Sequence, residues 1–168
     1  MKCPSCGSQN ISGSDECGSC GGDLSALDGV IPKSKIERVL MSDPIASVHP
    51  KKPIVIGKET TVQEAVTKMN EAKVGCLLVG DDKNMEGILT ERDIVLKVLV
   101  LGADMEQTTV SSIMTSKAES LASEDSLAYA VNRMSVGGYR HIPILKDQAP
   151  VGIVSIRDVL KHLAKLFH

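Results

Sequence analysis

The chain has 168 residues, a formal net charge of −2 at pH 7, and a composition that is 42% hydrophobic and 24% charged. These values are typical of a globular protein with one ordinary domain and a small appendage. The near-neutral charge argues against a general polyanion binder, and no apolar run is long enough to cross a bilayer. Because the N-terminus also lacks a signal-peptide pattern, we expect a soluble, cytoplasmic protein with no membrane partner.

Four of the five cysteines form two closely spaced pairs near the N-terminus. They read CPSC and CGSC, and the four residues are Cys3, Cys6, Cys17 and Cys20. Two residues between cysteines let a tight turn point both sulfurs at one ion, and a glycine after each pair permits the backbone to close round it. Four thiolates make a closed tetrahedral site that suits structural Zn²⁺. Residues 1–22 are therefore predicted to form a zinc ribbon.

Two other interpretations of the cysteine pairs are weaker. Disulfides fit poorly with a reducing compartment, and a redox-active pair usually belongs to a larger domain with its own core. The stretch resembles the short zinc ribbons of the CPxCG type, although Glu16 rather than an aromatic residue precedes Cys17. The core beneath the metal is therefore expected to be thin. The fifth cysteine, Cys76, lies in an apolar run and is expected to be buried rather than reactive.

A linker and several short elements come before the regular part of the chain. Glycine and proline interrupt residues 23–35, which we predict to be a linker. Apolar spacing predicts a short helix over 36–41, which ends at the Ser-Asp-Pro sequence of 42–44. Two short β-rich runs follow, at 45–48 and 54–56.

The rest of the chain is organised around a motif that occurs twice. The sequence GILTERD at 87–93 returns 65 residues later as GIVSIRD at 152–158. Each copy is typical of an apolar strand that runs into a helix, with Thr90 or Ser155 at the N-cap and an aspartate three residues on. The same offset aligns the apolar positions of the preceding helices. A repeat of this length predicts two copies of one structural unit.

Each copy is predicted to contain a strand, a helix, two strands and a closing helix. After strand 54–56, the helices and strands of copy one span 61–72, 75–79, 86–89 and 92–101, and those of copy two span 126–136, 141–145, 151–154 and 157–166. Each copy alone exposes too much apolar surface to be stable, so the two should pack sheet against sheet. The predicted fold class is α/β, with domains over 36–104 and 105–168 packed as a pseudo-twofold pair.

With these features the chain resembles the paired CBS domain, or Bateman module. The two motifs carry the resemblance together with YRHIPI at 139–144 and the lead-in sequences VLMS at 39–42 and IMT at 113–115. One such motif is weak support, whereas two copies in register within the same order of strands and helices are specific. The resemblance covers residues 36–168 and implies that two chains associate as a flat homodimer.

The resemblance also implies a role for the repeated motif beyond capping a helix. A threonine or serine with an aspartate three residues on can simply satisfy the first backbone N–H groups of a helix. In the family, however, this motif holds the ribose and phosphate of adenosine nucleotides, and the adenine lies between apolar strands of the other copy. A hydroxyl and backbone N–H groups at a helix start favour phosphate, and a carboxylate accepts from two ribose hydroxyls.

Carried over to this sequence, the resemblance implies two ligand slots. The first would contain Thr90, Asp93, Tyr139, Arg140, His141 and Pro143. The second would contain Ser155, Asp158, Val74, Gly75, Cys76 and Leu78. The lead-in residues Met41 and Thr115 would line the adenine. Arg92 and Arg157, which precede the aspartates, would reach phosphate or remain solvated.

The two predicted slots differ in charge. The first includes Arg140 and His141, which can both pair with phosphate, whereas the second has the uncharged Gly75 and Cys76 at the corresponding positions. An anionic nucleotide is therefore expected to prefer the first slot.

No group of residues in the sequence is typical of a catalytic site, so we predict a regulatory module rather than an enzyme. Its expected function is to sense an adenine nucleotide, such as AMP, ADP or ATP, and to signal to an unidentified protein partner or through its own assembly. The alternative is a nucleic-acid-associated regulator whose ribbon contacts DNA or RNA. That alternative is disfavoured, because residues 1–28 contain one lysine against four acidic residues and no aromatic residue for stacking.

Overall fold

The computed structural model describes residues 1–11, 13–25, 32 and 34–167. Tertiary contacts divide the chain into two compact units. The first unit comprises residues 1–48, 124–140 and 156–168, and the second unit comprises residues 49–123 and 141–155. This division cuts across the two sequence copies, because strands from both copies belong to the second unit. The predicted domain boundaries, which follow the copies, stay a prediction.

The second unit contains a mixed three-stranded sheet. β1 (Val55–Ile56) is parallel to β2 (Cys76–Gly80), and β2 is antiparallel to β3 (Met85–Thr90). The helix α2 (Val62–Ala72) connects β1 to β2, because parallel neighbours need a crossover connection. Strands and helices alternate here as the sequence predicts, and the α/β fold class is confirmed.

Short helices and a hairpin complete the second unit. α3 (Glu91–Ile94) follows β3 directly and continues as a π-helix over Val95–Leu99. α4 (Val110–Ile113) precedes copy two. β4 (His141–Lys146) and β5 (Ala149–Ser155) then form an antiparallel pair.

The sequence defines both ends of α2. Thr61 caps its start, where the Thr61 hydroxyl accepts from the Glu64 N–H at 3.2 Å and the Glu64 carboxylate accepts from the Thr61 N–H at 3.0 Å. Lys73 ends the helix in the left-handed region. One face of α2 packs on the sheet in a wholly aliphatic core, whose members include Val62, Ala65, Met69, Leu77, Val79, Leu89 and Val98.

The first unit is mainly helical. It contains α1 (Lys35–Ser42), α5 (Leu127–Gly137) and α6 (Ile156–Ala164), a 3-10 helix over Ile45–Val48, another over Lys165–Phe167, and the cysteine-containing residues 1–25. Backbone hydrogen bonds fix the start of α5 against the segment after α1. The Ile45 N–H donates to Asp125 O at 2.8 Å, and the Leu127 N–H donates to Asp43 O at 2.9 Å.

The β-rich run predicted at 45–48 is wrong, because these residues form a 3-10 helix. Pro44 has a φ compatible with a tight turn, and its carbonyl accepts from the Ser47 N–H at 2.9 Å. Ile45 is fully buried. A single buried side chain suits a short helix as well as a strand, so hydrophobicity alone did not separate the two.

The closing helix of copy one was predicted to be continuous over 92–101, but the structure has a short α-helix followed by a π-helix. After α3 the hydrogen bonding shifts to the π pattern, in which the Val100 N–H donates to Val95 O at 3.0 Å. Several apolar side chains of this segment are 46–73% exposed, namely Val95, Leu96, Leu99, Val100 and Leu101.

Copy two also departs from the predicted order at its first strand. Within the described residues, the segment before α5 makes only one parallel bridge, between Leu121 and Ile144. The Leu121 N–H donates to Pro143 O at 3.0 Å, and Leu121 O accepts from the Leu145 N–H at 3.0 Å. One residue therefore takes the place that β1 holds in copy one.

Candidate metal and ligand sites

The four N-terminal cysteines converge as the sequence predicts. All four sulfurs lie within 4.8 Å of one another, with Cys3 and Cys20 3.8 Å apart and Cys6 and Cys17 3.5 Å apart. Thiolates bound tetrahedrally at about 2.3 Å from one Zn²⁺ have sulfurs separated by about 3.8 Å. The cluster therefore has the dimensions of a closed zinc site.

Both cysteine pairs close with the same backbone turn. The Gly7 N–H donates to Cys3 O and the Gly21 N–H donates to Cys17 O, each at 2.8 Å. Both glycines have positive φ, 76° for Gly7 and 66° for Gly21, which other residues adopt only at a cost. The predicted role of the glycines in closing the backbone is confirmed.

Hydrogen bonds favour the thiolate form at two of the four cysteines. Backbone N–H groups of Ser19 and Cys20 lower the pKa of Cys17 to about 6. The Ser8 hydroxyl and backbone lower the pKa of Cys6. Although Gly22 donates a backbone hydrogen bond to Cys20, the neighbouring sulfurs and burial raise the pKa of Cys20 to about 12. Thiolates are the form that binds metal, so the turns favour that form at Cys17 and Cys6.

A small apolar cluster lies beneath the sulfurs. Leu24 is fully buried against Cys3 and Cys17, and Met1 packs at its edge. Leu24 supplies the core that we expected to be thin without an aromatic residue. The predicted linker over 23–35 therefore begins with residues that belong to the ribbon, and most of the rest of that segment lies outside the described residues.

The ribbon contacts α5 within the first unit, which the sequence did not predict. Lys2 forms an ion pair with the buried Asp125, and its Nζ lies 5.0 Å from the centre of the Tyr129 ring. Arg133 donates from a guanidinium nitrogen to Ser5 O at 2.6 Å. These contacts attach the ribbon to the helix that begins copy two.

The first motif forms a complete helix cap at the start of α3. The Thr90 N–H and hydroxyl donate to Asp93 Oδ2 at 3.0 and 2.5 Å, and the Asp93 N–H donates to the Thr90 hydroxyl at 3.3 Å. Asp93 is buried, as few carboxylates are unless they are paired. The capping interpretation of the motif is therefore confirmed for copy one.

Lys97 occupies the other oxygen of the Asp93 carboxylate. Its Nζ lies 2.7 Å from Asp93 Oδ1 and donates to Ile113 O at 2.5 Å. Both carboxylate oxygens are thus engaged by groups of the protein. The sequence signal was the spacing of four residues along a helix, which brings Asp93 and Lys97 together.

Several residues predicted for the second slot lie beside the first motif in the sheet. Cys76 is paired with Thr90 across β2 and β3, and Gly75 O accepts from the Glu91 N–H at 3.1 Å. A Cβ at Gly75 would lie 3.3 Å from the Glu91 carboxylate, so a larger residue there would require the Glu91 side chain to shift by a few tenths of an ångström. Burial, and then the charge of Glu91, raises the pKa of Cys76 to about 12, as expected for an unreactive thiol.

One face of this sheet forms an apolar cluster. Its buried members are Cys76, Leu78 and Ile88, and Val55, Met85, Ala118 and Ile153 pack against them. Thr115, predicted to line adenine, pairs with Ile88 through two backbone hydrogen bonds of 2.9 and 3.0 Å.

The predicted ligand residues fall in both units. The second unit contains Thr90, Arg92, Asp93, Thr115, His141, Pro143, Val74, Gly75, Cys76, Leu78 and Ser155, and the first contains Met41, Tyr139, Arg140, Arg157 and Asp158. In the hairpin His141 is paired with Ser155. The assignment of these residues to two slots stays a prediction.

A cavity of about 180 Å³ lies beside α6 within the first unit. Its lining consists of Val48, Asp158, Lys161, His162 and Lys165. His162 Nε2 lies 2.8 Å from Asp43 Oδ2. The Nδ1 atom of His162 is buried and has no hydrogen-bond partner among the described residues. Asp158 was a predicted ligand residue, whereas Lys161, His162 and Lys165 were not, although Lys161 and His162 lie three and four positions after Asp158 on the same helix.

The sequence profile of the CBS domain matches residues 36–100 and 110–165. These matches cover well over half of the chain, so the protein belongs to the CBS domain family. The match begins after the four cysteines, which are therefore not part of the family assignment. Among the described residues, no helix has the length and apolarity that a membrane span requires.

Proteins with related sequences are found in a plant and in a bacterium. CBS domain-containing protein CBSX3, mitochondrial, of Arabidopsis thaliana is 37% identical over 108 residues, covering 61% of this chain and 52% of that protein. Hypoxic response protein 1 of Mycobacterium tuberculosis is 31% identical over 109 residues, covering 64% of this chain and 76% of that protein. The chain thus spans about half the length of the Arabidopsis relative and three quarters of the mycobacterial one.

Solved structures agree with the family assignment. An uncharacterized conserved protein from Pyrococcus horikoshii has a TM-score of 0.68 and 32% identity, covering 73% of this chain and 93% of that one. Hypoxic Response Protein I, solved with two coordinated zinc ions, has a TM-score of 0.62 and 28% identity, covering 71% of this chain and 98% of that one.

Proposed function

We propose that this protein is a regulatory module that binds an adenine nucleotide at its repeated motifs and signals ligand state to a protein partner or through its own assembly. The observation that carries the proposal is the position of both motifs at a junction from strand to helix, β3 to α3 and β5 to α6. At such a junction a carboxylate and the first backbone N–H groups of the helix lie close together. That arrangement offers an acceptor for hydroxyl groups and donors for phosphate.

The proposed roles follow the chemistry of each residue. Asp93 and Asp158 accept from ribose hydroxyls, and Thr90 and Ser155 donate to phosphate. Arg140 and His141 add positive charge for an anionic ligand. A CBS domain pair of the same fold, with 23% identity, a TM-score of 0.63 and coverage of 74% of this chain and 99% of that chain, was solved in complex with 5′-methylthioadenosine and S-adenosyl-L-methionine. Adenosine compounds are therefore the first ligands to test.

We expect one or more adenine nucleotides to raise the melting temperature of the purified protein. A ligand that binds only the folded state at 100 times its Kd adds about 2.7 kcal/mol to the free energy of unfolding. The measurement is a thermal-shift series with adenosine, AMP, ADP, ATP, NAD and S-adenosylmethionine, with GTP as the matched control for the base. Equal shifts with GTP, or none with any adenine compound at millimolar concentration, would refute adenine-nucleotide sensing.

We also propose that the cysteine cluster holds one structural Zn²⁺. Cys3, Cys6, Cys17 and Cys20 would bind it, and the ion would supply a cross-link between two turns that have little core of their own. The donor set leaves no ligand position open, so the metal has no catalytic part. Free thiolates fit a reducing compartment, and we place the protein in the cytoplasm on that ground.

We further propose that the protein is a homodimer through the π-helical segment after α3. Val95, Leu96, Leu99, Val100 and Leu101 are 46–73% exposed along seven residues of the second unit. Adjacent apolar residues of this kind mark an interaction surface more often than isolated ones do. A hexameric CBS-CP12 protein from bloom-forming cyanobacteria has the same fold, with a TM-score of 0.63 and 28% identity, covering 68% of this chain and 67% of that one.

Replacing Leu99 by Asp should shift the protein toward monomer, because a charge would have to be buried at the interface. We expect the dimer dissociation constant to rise by about tenfold or more, which corresponds to about 1.4 kcal/mol. Sedimentation velocity over a concentration series measures it. Ile11→Asp is the control, since Ile11 is 83% exposed on the ribbon. If the dimer dissociation constant of Leu99→Asp equals that of the wild-type protein, the segment is not part of the dimer interface.

A further inference from the structure

The helix α5 differs from its counterpart in copy one, α2, on the face that meets the ribbon. Tyr129 and Arg133 of α5 stand 65 residues after Glu64 and Lys68 of α2. The two α2 residues are exposed, whereas Tyr129 and Arg133 are half-buried. Glu64 completes the cap of α2, and the tyrosine at the same position of α5 lacks the carboxylate for that role. This face of α5 is therefore suited to a contact that α2 does not make.

The first cysteine turn, residues 2–7, supplies the contacts to this face. Arg133 donates to Ser5 O at 2.6 Å, and the Lys2 Nζ lies 5.0 Å from the centre of the Tyr129 ring. A Cβ at Gly7 would lie 2.6 Å from the Tyr129 hydroxyl, so the tyrosine packs directly on the glycine that closes the turn. Each of the three ribbon residues is adjacent to a cysteine in the sequence, so the contacts require the turn to keep its closed shape.

Hydrogen bonds also attach the start of α5 to the segment after α1. The Leu127 N–H donates to Asp43 O at 2.9 Å, and the Ile45 N–H donates to Asp125 O at 2.8 Å. The buried Asp125 thus accepts from this segment through its backbone and pairs with Lys2 of the ribbon through its carboxylate. Because one residue contacts both, a change in the ribbon has a direct route to the segment after α1.

The segment after α1 leads on to predicted ligand residues of the first unit. Asp43 Oδ2 lies 2.8 Å from His162 Nε2 of α6. Met41 lies in α1, and Arg157 and Asp158 lie in α6. A shift at the start of α5 would therefore reach both helices that contain these residues.

The closed shape of the ribbon depends on the four cysteines. Among its described residues the buried cluster is Cys3, Cys17 and Leu24, with Met1 at the edge. The four sulfurs lie within 4.8 Å of one another, and thiolates at that distance repel unless a cation lies between them. Metal binding to such a small domain is coupled to its folding, so loss of the ion would open the turns.

We propose that the ribbon is a metal-dependent clamp on the start of α5, through which metal occupancy regulates ligand affinity in the first unit. With metal bound, the first cysteine turn holds Tyr129 and Arg133, and α5 is fixed against the segment after α1. Without metal, the turn opens and both attachments loosen. The inference rests on the proposed zinc site and the proposed nucleotide binding, and adds regulation of one by the other. By thermodynamic linkage, the nucleotide would strengthen zinc binding by the same factor.

A double-mutant cycle in the full-length protein tests the clamp. Cys17→Ser removes a metal ligand from the second cysteine turn, and Tyr129→Ala with Arg133→Ala removes the contacts on α5 without loss of helix propensity. With α5 unchanged, Cys17→Ser should speed hydrogen exchange of the Leu127 and Ile45 amides about tenfold, because these amides attach α5 to the segment after α1. In the α5 double variant the effect of Cys17→Ser should be within about twofold, since the clamp is already released.

The chain offers a matched control on the same helix. Asn132→Ala with Ser135→Ala removes two exposed side chains of α5, and the tenfold effect of Cys17→Ser should persist in it. The Leu78 amide, which donates to Ile54 O in the second unit, is an internal reference and should exchange equally in every protein. Elemental analysis should find about one zinc in each protein that keeps Cys17.

Titration calorimetry with AMP on the same proteins measures the regulation. Cys17→Ser should weaken AMP binding about threefold or more when the α5 contacts are present, and by less than about twofold in the α5 double variant. The reason is that the released helix no longer transmits the state of the ribbon to the first unit.

The outcomes separate the inference from the proposals on which it rests. Exchange at Leu127 and Ile45 that Cys17→Ser leaves unchanged, in a protein whose wild type holds one zinc, overturns the clamp and leaves the zinc site intact. A tenfold effect that survives removal of Tyr129 and Arg133 overturns their part in it. Changed exchange with unchanged AMP affinity overturns the regulation alone. Wild-type protein without zinc overturns the zinc site together with the clamp, and zinc-loaded protein that binds no adenine compound overturns nucleotide sensing, while the exchange rates still decide the clamp.

Discussion

Replacing Cys17 by Ser should abolish stoichiometric zinc binding and unfold the ribbon. Among the described residues of the ribbon, the buried cluster consists of Cys3, Cys17 and Leu24, with Met1 at its edge, so a single leucine supplies most of the core beneath the two turns. Structural Zn²⁺ in small domains binds with an apparent free energy of about 10–16 kcal/mol, most of which is folding free energy. We expect about one zinc per chain in the wild-type protein and loss of the amide dispersion of residues 1–25 in the variant.

Elemental analysis and a backbone NMR spectrum measure these two effects. Cys76→Ala is the matched control, because Cys76 lies in β2 outside the cluster and its removal should leave the zinc content unchanged. Zinc below about half an equivalent in unchelated wild-type protein would argue against a metal site. The second unit should stay folded in the Cys17 variant, since its aliphatic core does not include the ribbon. A large loss of helical circular dichroism would contradict that independence.

The contacts between the ribbon and α5 sharpen this expectation. An ion pair joins Lys2 to Asp125, just before α5, and a 2.6 Å hydrogen bond joins Arg133 of α5 to Ser5. Unfolding the ribbon would leave the buried Asp125 without that ion pair. Protection from hydrogen exchange should therefore fall at the start of α5 and less in β2, which lies in the other unit.

The order of helices and strands was predictable because the two sequence copies have the same pattern, so each copy supports the prediction made from the other. The motif at 87–93 and its copy at 152–158 each place a strand before and a helix after one hydroxyl residue, and both junctions are found. The apolar spacing of α2 and α5 likewise predicted their bounds to within a residue. Such signals are local, since they depend on periodicity and capping within a few residues.

The missed features depend on residues distant in sequence or on small backbone differences. Lys2 and Asp125 are separated by 123 positions, and no pattern in either segment indicates that they pair. The π-helix at Val95–Leu99 differs from an α-helix by one hydrogen-bond step, which composition does not specify. For the candidate slots, both aspartates were identified from the sequence. The residues that contact each aspartate were not, because they depend on which segments pack against each helix.

On the basis of these contacts we expect the opposite order of importance for the two aspartates from the one that the sequence suggested. The Asp93 carboxylate is already held at both oxygens by Thr90 and Lys97, so a ribose that bound there would share the carboxylate with these groups. Asp158 lines the α6 cavity with Lys161 and Lys165 and has partners of its own. Because the two lysines can pair with phosphate, we expect an anionic nucleotide to bind most tightly where Asp158 accepts its ribose.

Asp158→Ala should weaken AMP binding by about tenfold or more, and Asp93→Ala should change it by less than about threefold, because only Asp158 meets the ribose of the tight site. Asp158→Ala should also lose discrimination between AMP and 2′-deoxy-AMP, since the hydroxyl that 2′-deoxy-AMP lacks is the group that the carboxylate recognises. Asp93→Ala has a different cost, because it removes the cap of α3 and leaves Lys97 without its carboxylate. Loss of a helix cap destabilises a protein by about 1 kcal/mol, so a lowered melting temperature is expected for this variant.

Titration calorimetry with AMP and 2′-deoxy-AMP, together with a melting curve for each variant, separates ligand recognition from stability. The two aspartates serve as controls for each other, since they occupy the same position of the repeat and differ in their neighbours. If Asp93→Ala abolishes tight binding while Asp158→Ala retains it, the ribose binds at the capped carboxylate beside Lys97. If both variants bind AMP like the wild-type protein, Thr90 and Ser155 only cap helices and the motif has a purely structural role.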